Sequence, residues 1–266
     1  MALSLKGQGF LPGIVTIAKN MFREAVRDRV LYNLVLFVLL LTGCSILVGD
    51  ITAGQESRTI VNIGLNAMLL FGVFISIFVG IGLVSKEIDK RTVYAIFAKP
   101  VGRSTFLVGK YVGLCLTLFV NTVVMGVGLS LALLYVGGGT LVYSIWGAIL
   151  LIYLELVIIT AVATLFSSFS TPTLSALFTF LVFIIGHLSS SLKDFAAVLG
   201  SRMANYIFTG IYYLFPNLAH FSFRTEAANG LVPSIAMVGA AFIYAIVYVA
   251  ILMTISIMIF RNKNFK

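Results

Sequence analysis

The sequence predicts an all-α integral membrane protein: a six-span helical bundle with an N-terminal interfacial helix and a re-entrant or interfacial outer segment before span six. Three observations carry this expectation. Of the 266 residues, 60% are hydrophobic and only 10% are charged, whereas soluble domains run about 45–50% apolar and about 25% charged. Mean hydropathy is +1.10. The apolar residues gather into uncharged runs, and about 20 helical residues suffice to cross a hydrocarbon core of about 30 Å. The same composition excludes a disordered or acidic tail protein. Two cysteines in the whole chain exclude a secreted disulfide scaffold. Cys44 and Cys115 both lie in apolar runs and read as small buried hydrophobes.

The first element is an interfacial helix over 10–29. Ile14, Ile17, Ala18, Met21, Phe22, Ala25 and Val26 recur at helical spacing, and Lys19, Asn20, Arg23, Glu24, Arg27 and Asp28 fill the other face. The alternative, a plain polar lead-in, fits that periodicity less well. Span one is 30–49, between Arg29 and Asp50. The stretch LVGDITAGQ that ends it lacks a small-x-small cleavage pattern, so the run reads as a retained span. Span two is 66–84. The stretch 111–154 holds 44 uncharged residues, too many for one crossing, and Gly137-Gly138-Gly139 is its turn signal. Spans three and four are therefore 106–136 and 141–166. Ser167-Ser168-Phe169-Ser170-Thr171-Pro172 separates them from span five, 173–192. Span six is 234–260, starting after Pro233.

Six spans put both termini on one side. Fourteen of the 18 Lys and Arg residues fall on the face of the termini and the 85–105 loop, and four fall on the other. The excess places both termini in the cytoplasm. It also accounts for a net charge of +9 without nucleic acid.

The two non-spanning segments are informative. In the 85–105 loop, Lys86, Glu87, Asp89, Lys90 and Arg91 precede Val93, Tyr94, Ile96 and Phe97, and Pro100 stops the helix. This is either a docking element for a protein partner or a solvated loop whose lysines enforce topology. The outer segment 193–233 is long for a connection. It carries Phe195, Tyr206, Phe208, Tyr212, Tyr213, Phe215, Phe221 and Phe223. It reads as a short interfacial or re-entrant helix over 203–215, ended by Pro216-Asn217, or as an aromatic belt at the headgroups.

Conventional catalytic signals are lacking. There is no Gly-x-x-x-x-Gly-Lys-Ser/Thr phosphate loop and no Gly-x-Ser-x-Gly elbow. His187 and His220 have no Cys or acid cluster near them in sequence. Glu155, in LIYLELVII, is the one charge near the middle of span four. A carboxylate there is costly and must face the bundle interior, a water-filled path or a hydrogen-bond partner. It is either a substrate or proton contact, or a protonated packing residue. Gly109-x-x-x-Gly113 matches the small-xxx-small pattern of close helix packing.

The order of these elements resembles the permease subunit of type-2 ABC transporters. The strongest piece is KEIDKRTVYAIFAKPVGRSTFLVGKY, with Glu87, Arg91-Thr92, Pro100, Arg103 and Gly109-Lys110 in the family's order. The stretch YYLFPNLAHFSFRTEAANG is similar to the multicopper enzyme maturation permeases. The resemblance implies an exporter permease in a bacterial or archaeal cytoplasmic membrane. It would be no enzyme by itself and would hold no cofactor, with ATP and Mg bound by a separate cytoplasmic ABC ATPase. It implies a coupling helix over 87–97, with Glu87, Asp89, Arg91, Thr92, Tyr94 and Phe97 at the ATPase contact. Ser168 and Pro172 would form a second, smaller contact, and Glu155 would lie on the translocation path. A second permease chain in a homodimer, membrane lipid and a periplasmic protein complete the implied partners. Two other readings stand beside it: an ion-coupled secondary transporter using Glu155, and a mechanotransmitting scaffold for a periplasmic partner.

Overall fold

The computed structural model describes residues 10–27, 36, 37, 40, 43, 55–89, 102–199 and 202–262. It is about 90% helical, with no strand among the described residues. The helices are α1 (Phe10–Arg27), α2 (Glu56–Asp89), α3 (Arg103–Tyr135), α4 (Val142–Phe169), α5 (Pro172–Leu199), α6 (Arg202–Leu214), α7 (Arg224–Ala228) and α8 (Ile235–Asn262). Two 3-10 turns, Gly139–Leu141 and Leu218–Phe221, join α3 to α4 and α6 to α7. Among the described residues, five helices, α2, α3, α4, α5 and α8, are long and apolar enough to cross a membrane. They fit an all-α, multi-pass membrane bundle. Most of the predicted span 30–49 lies outside the described residues; within it, Phe37 is buried edge-on against Phe71 of α2, 6.2 Å between ring centroids.

The breaks have local causes. Val136 ends α3, and Gly137 takes φ 79°, a left-handed conformation that glycine adopts without Cβ strain. At the other end of α4, Ser170 is extended, and α5 begins on Pro172, whose ring suits a first helical turn. Ser234 caps α8, its Oγ accepting from the Met237 amide at 3.2 Å. Within the spans, Thr117, Thr160, Thr164, Thr179 and Ser256 donate to the carbonyl four residues back, which satisfies their hydroxyls inside apolar surroundings.

α4 is the centre of the bundle. Of its membrane-length stretch 72% is buried, against 28% for α5 and 22% for α8. It touches α2, α3, α5, α7 and α8. Gly72 and Gly80 of α2 abut Leu156 and Ala163, so the two backbones approach closely. Ser167 Oγ donates to the Ile81 carbonyl at 3.0 Å and ties the end of α4 to α2. Tyr111 and Tyr153 bond across α3 and α4, to the Val157 carbonyl at 3.0 Å and the Cys115 carbonyl at 3.3 Å.

The small-xxx-small pair has a partner within the chain. α1 lies on the first turns of α3, with Ala18 and Met21 buried. A Cβ on Gly113 would stand 2.7 Å from the Ala18 carbonyl oxygen, and one on Gly109 2.9 Å from Ile17 Cβ. Lys19 and Arg23 stay on the exposed side. The amphipathic pattern thus meets another helix as well as whatever covers its polar face.

Candidate functional site

Glu155 is the fourteenth of the 28 residues of α4, and it is 1% exposed. α4 and α5 run antiparallel across the Ser170-Thr171 turn. Glu155 lies 14 residues before Phe169, and His187 lies 15 residues after Pro172. At 1.5 Å per residue both stand roughly 21 Å from that turn. The geometry follows: His187 Nε2 is 3.5 Å from Glu155 Oε1. The contact lacks hydrogen-bond alignment. Glu155 Oε1 and both imidazole nitrogens are buried without a hydrogen-bond partner among the described residues. Phe183, one turn earlier on α5, covers the imidazole at 4.7 Å between centroids.

A third ionisable residue acts on this pair. Arg224 opens α7, and its positive charge acts on both Glu155 and His187. Its Nη2 donates to Ser222 Oγ at 3.3 Å. α7 itself is held against α4, because Ser144 Oγ donates to the Ala227 carbonyl at 2.9 Å.

The turn of α5 that carries His187 also anchors the segment between α5 and α8. Gly186 abuts Leu218 and the Pro216 carbonyl. Ser189 Oγ donates to Asn217 Oδ1 at 2.9 Å. Asn217 Oδ1 also accepts from the Ala219 amide at 3.2 Å, and its backbone amide donates to Tyr244 of α8 at 2.9 Å. Its Nδ2 meets His220 Nε2 at 3.1 Å and Tyr212 OH at 3.4 Å. Tyr248 OH donates to the Leu214 carbonyl at 3.1 Å. One buried asparagine therefore fastens the segment to both flanking spans. Beside it a cavity of about 410 Å³ lies between the Leu218–Phe221 turn and α8, lined by Ala219, His220, Met237, Ala240, Ala241 and Tyr244.

The residues singled out in sequence fall into two sets. Glu155 belongs to the charged group just described. Glu87 and Asp89 belong to the last turns of α2, and Arg91, Thr92, Tyr94 and Phe97 lie outside the described residues. Ser168 is fully buried, its hydroxyl donating to the Leu165 carbonyl at 2.6 Å, while Pro172 is exposed at the start of α5. Sequence reasoning missed His187 and Arg224. The available signal was positional: an ionisable residue as far from the Ser170 turn on α5 as Glu155 is on α4. Among the described residues no group of three or more His, Cys, Asp or Glu side chains is placed to hold a metal.

Residues 45–265 match the family described as "Protein of unknown function (DUF2705)", and the chain belongs to that family. No curated protein matches the chain.

Proposed function

We propose that this chain is the membrane-spanning permease subunit of an ATP-driven ABC transporter, an exporter powered by a separate cytoplasmic ATPase. The seating of α1 on Gly109 and Gly113 supports this reading most. It gathers at one end of the bundle the amphipathic helix, the start of α3, the end of α2 and, through the Ser167–Ile81 bond, the α4–α5 turn. In this reading that end faces the cytoplasm, in line with the cation bias, and the 87–97 stretch between α2 and α3 seats in a groove of the ATPase. α2 and α3 have 34 and 33 residues, about 50 Å each at the helical rise. A push on the loop between them reaches the far end of the bundle along two stiff rods.

There the Asn217 clamp holds the 193–233 segment, which this reading makes the outer gate. The exposed apolar faces of α5 and α8, with Leu177, Leu181 and Ile184 on one and Phe242, Ile246 and Val247 on the other, meet lipid or the second permease chain. Exposed Pro172 and Phe169 supply the smaller contact at the α4–α5 turn, with Ser168 shaping the turn from inside.

The test is copurification of the ATPase with variants of the loop. A buried aromatic anchor is worth about 2 kcal/mol or more, whereas charges mainly set register. Tyr94→Ala and Phe97→Ala should lose the ATPase. Glu87→Lys and Arg91→Glu should keep a folded permease that couples hydrolysis poorly to transport. Wild-type association and turnover in all four variants would remove the coupling assignment.

The Glu155–His187 contact favours a second reading, an ion-coupled transporter. Transport driven by a proton gradient without ATP would select it.

A further inference from the structure

We propose that Glu155 and His187 together form a one-proton binding site inside the bundle, occluded in this conformation and joining α4 to α5. The two groups stand 3.5 Å apart, both imidazole nitrogens and Oε1 are buried, and Glu155 is 1% exposed. In such surroundings a net charge is costly, so the pair is favoured in its neutral forms. Both neutral forms hold one proton. It sits on the carboxyl beside a neutral imidazole, or it passes from the carboxyl oxygen to Nε2, giving carboxylate and imidazolium with no change in total charge. Releasing it leaves a buried carboxylate; adding a second leaves a buried imidazolium. The proton therefore belongs to the pair as a unit.

Among the described residues, the surroundings supply one compensating charge. α2 has no charged residue between Arg58 and Lys86, α3 none after Lys110, α4 none but Glu155, and α8 none before Arg261. On α5, Lys193 and Asp194 follow His187 by nearly two turns. The tyrosines and the cysteine of the packed helices are ordinarily uncharged near neutral pH, and Tyr111, Tyr153, Tyr244 and Tyr248 are engaged with backbone groups; α7 also carries Glu226 and the Leu218–Phe221 turn His220, both exposed. Arg224 is the cation whose charge reaches both members. Releasing the proton strengthens the attraction of Arg224, which opens α7, for Glu155. The contact between Glu155 and His187 holds the proton whichever energy source drives the protein.

The test uses the full-length chain in phosphatidylcholine/phosphatidylglycerol nanodiscs. Infrared difference spectra against pH read the carboxylic C=O band, assigned by its loss in Glu155→Gln. Nitrogen-15 spectra read the His187 imidazole, with His220→Gln separating the two histidines. The site predicts that between about pH 7 and about pH 8 the carboxylic-acid and imidazolium fractions of the pair add up to about one proton in wild type, and that His187→Gln releases the Glu155 proton at lower pH. A sum near zero, with an ionised carboxylate beside a neutral imidazole, overturns it, and so does an unmoved Glu155 midpoint in His187→Gln. If His187→Gln fails to insert, the wild-type sum decides alone. ATPase copurification from the same preparations should be unchanged by Glu155→Gln, so a missing ATPase speaks against the transporter reading and not against the proton site.

Discussion

Gly113→Ala is the cleanest perturbation of the α1 seat. An added Cβ would lie 2.7 Å from the Ala18 carbonyl oxygen, 2.8 Å from Met21 Cβ and 3.1 Å from Ala18 Cα. Two of these are backbone atoms, so no side-chain rotation relieves the contact and α1 must move as a body. Alanine gains about 1 kcal/mol over glycine in helix propensity. Overpacking a close contact costs about 1–3 kcal/mol. The helix gain belongs to α3 and persists when α1 lifts off, so the full packing cost falls on docking. A loss of about 2 kcal/mol multiplies the opening of α1 by about 30. Gly128→Ala is the matched control: the same substitution on α3 with nothing within 4 Å of the new methyl, hence the propensity gain alone. Amide hydrogen exchange in nanodiscs should show residues 10–27 exchanging tens-fold faster in Gly113→Ala and at the wild-type rate in Gly128→Ala. Equal protection of α1 in both variants would refute the packing argument.

Three further outcomes can be measured. Asn217→Ala strips side-chain partners from Ser189, His220 and the Ala219 amide, leaving the backbone bond to Tyr244 in place, and should cost about 1–3 kcal/mol, read as lowered thermal stability and faster proteolysis within 200–233. Ser144→Ala removes the bond to the Ala227 carbonyl and should cost about 1 kcal/mol, with faster exchange confined to the α7 turn. For orientation, single cysteines at Gly138 and Asn229 should react with an impermeant thiol reagent applied to intact cells, and one at Val93 should not; the reverse pattern would invert the topology.

Much of the bundle is legible in the sequence because its breaks are chemical. Three consecutive glycines leave no side chain to pack and permit the φ of Gly137, and the chain turns there. Pro172 and Pro233 stand at or just before the starts of α5 and α8. Helix ends are less legible. Uncharged runs stop at charges, but backbone hydrogen bonding does not: α2 begins at Glu56, ten residues before the expected 66, and α5 passes Lys193 and Asp194 to reach Leu199. The helix expected over 203–215 is Arg202–Leu214, because Pro216 withholds an amide just beyond it. The charged group is harder to read. Glu155, His187 and Arg224 come from three separate stretches, and only the antiparallel path of α4 and α5 brings the first two to one depth. The glycine pair at 109 and 113 announces a close contact without saying with what; its partner α1 lies some ninety residues earlier.

Whether an ATPase drives this chain decides the proposed function. The direct measurement is to isolate the tagged full-length protein from its native membrane and assay the preparation for ATP turnover. An ABC-type ATPase polypeptide in stoichiometric amount is the predicted result, with turnover abolished when the lysine of that subunit's phosphate loop is replaced. A preparation without any such subunit, which on reconstitution moves a solute under a proton gradient alone, would contradict it.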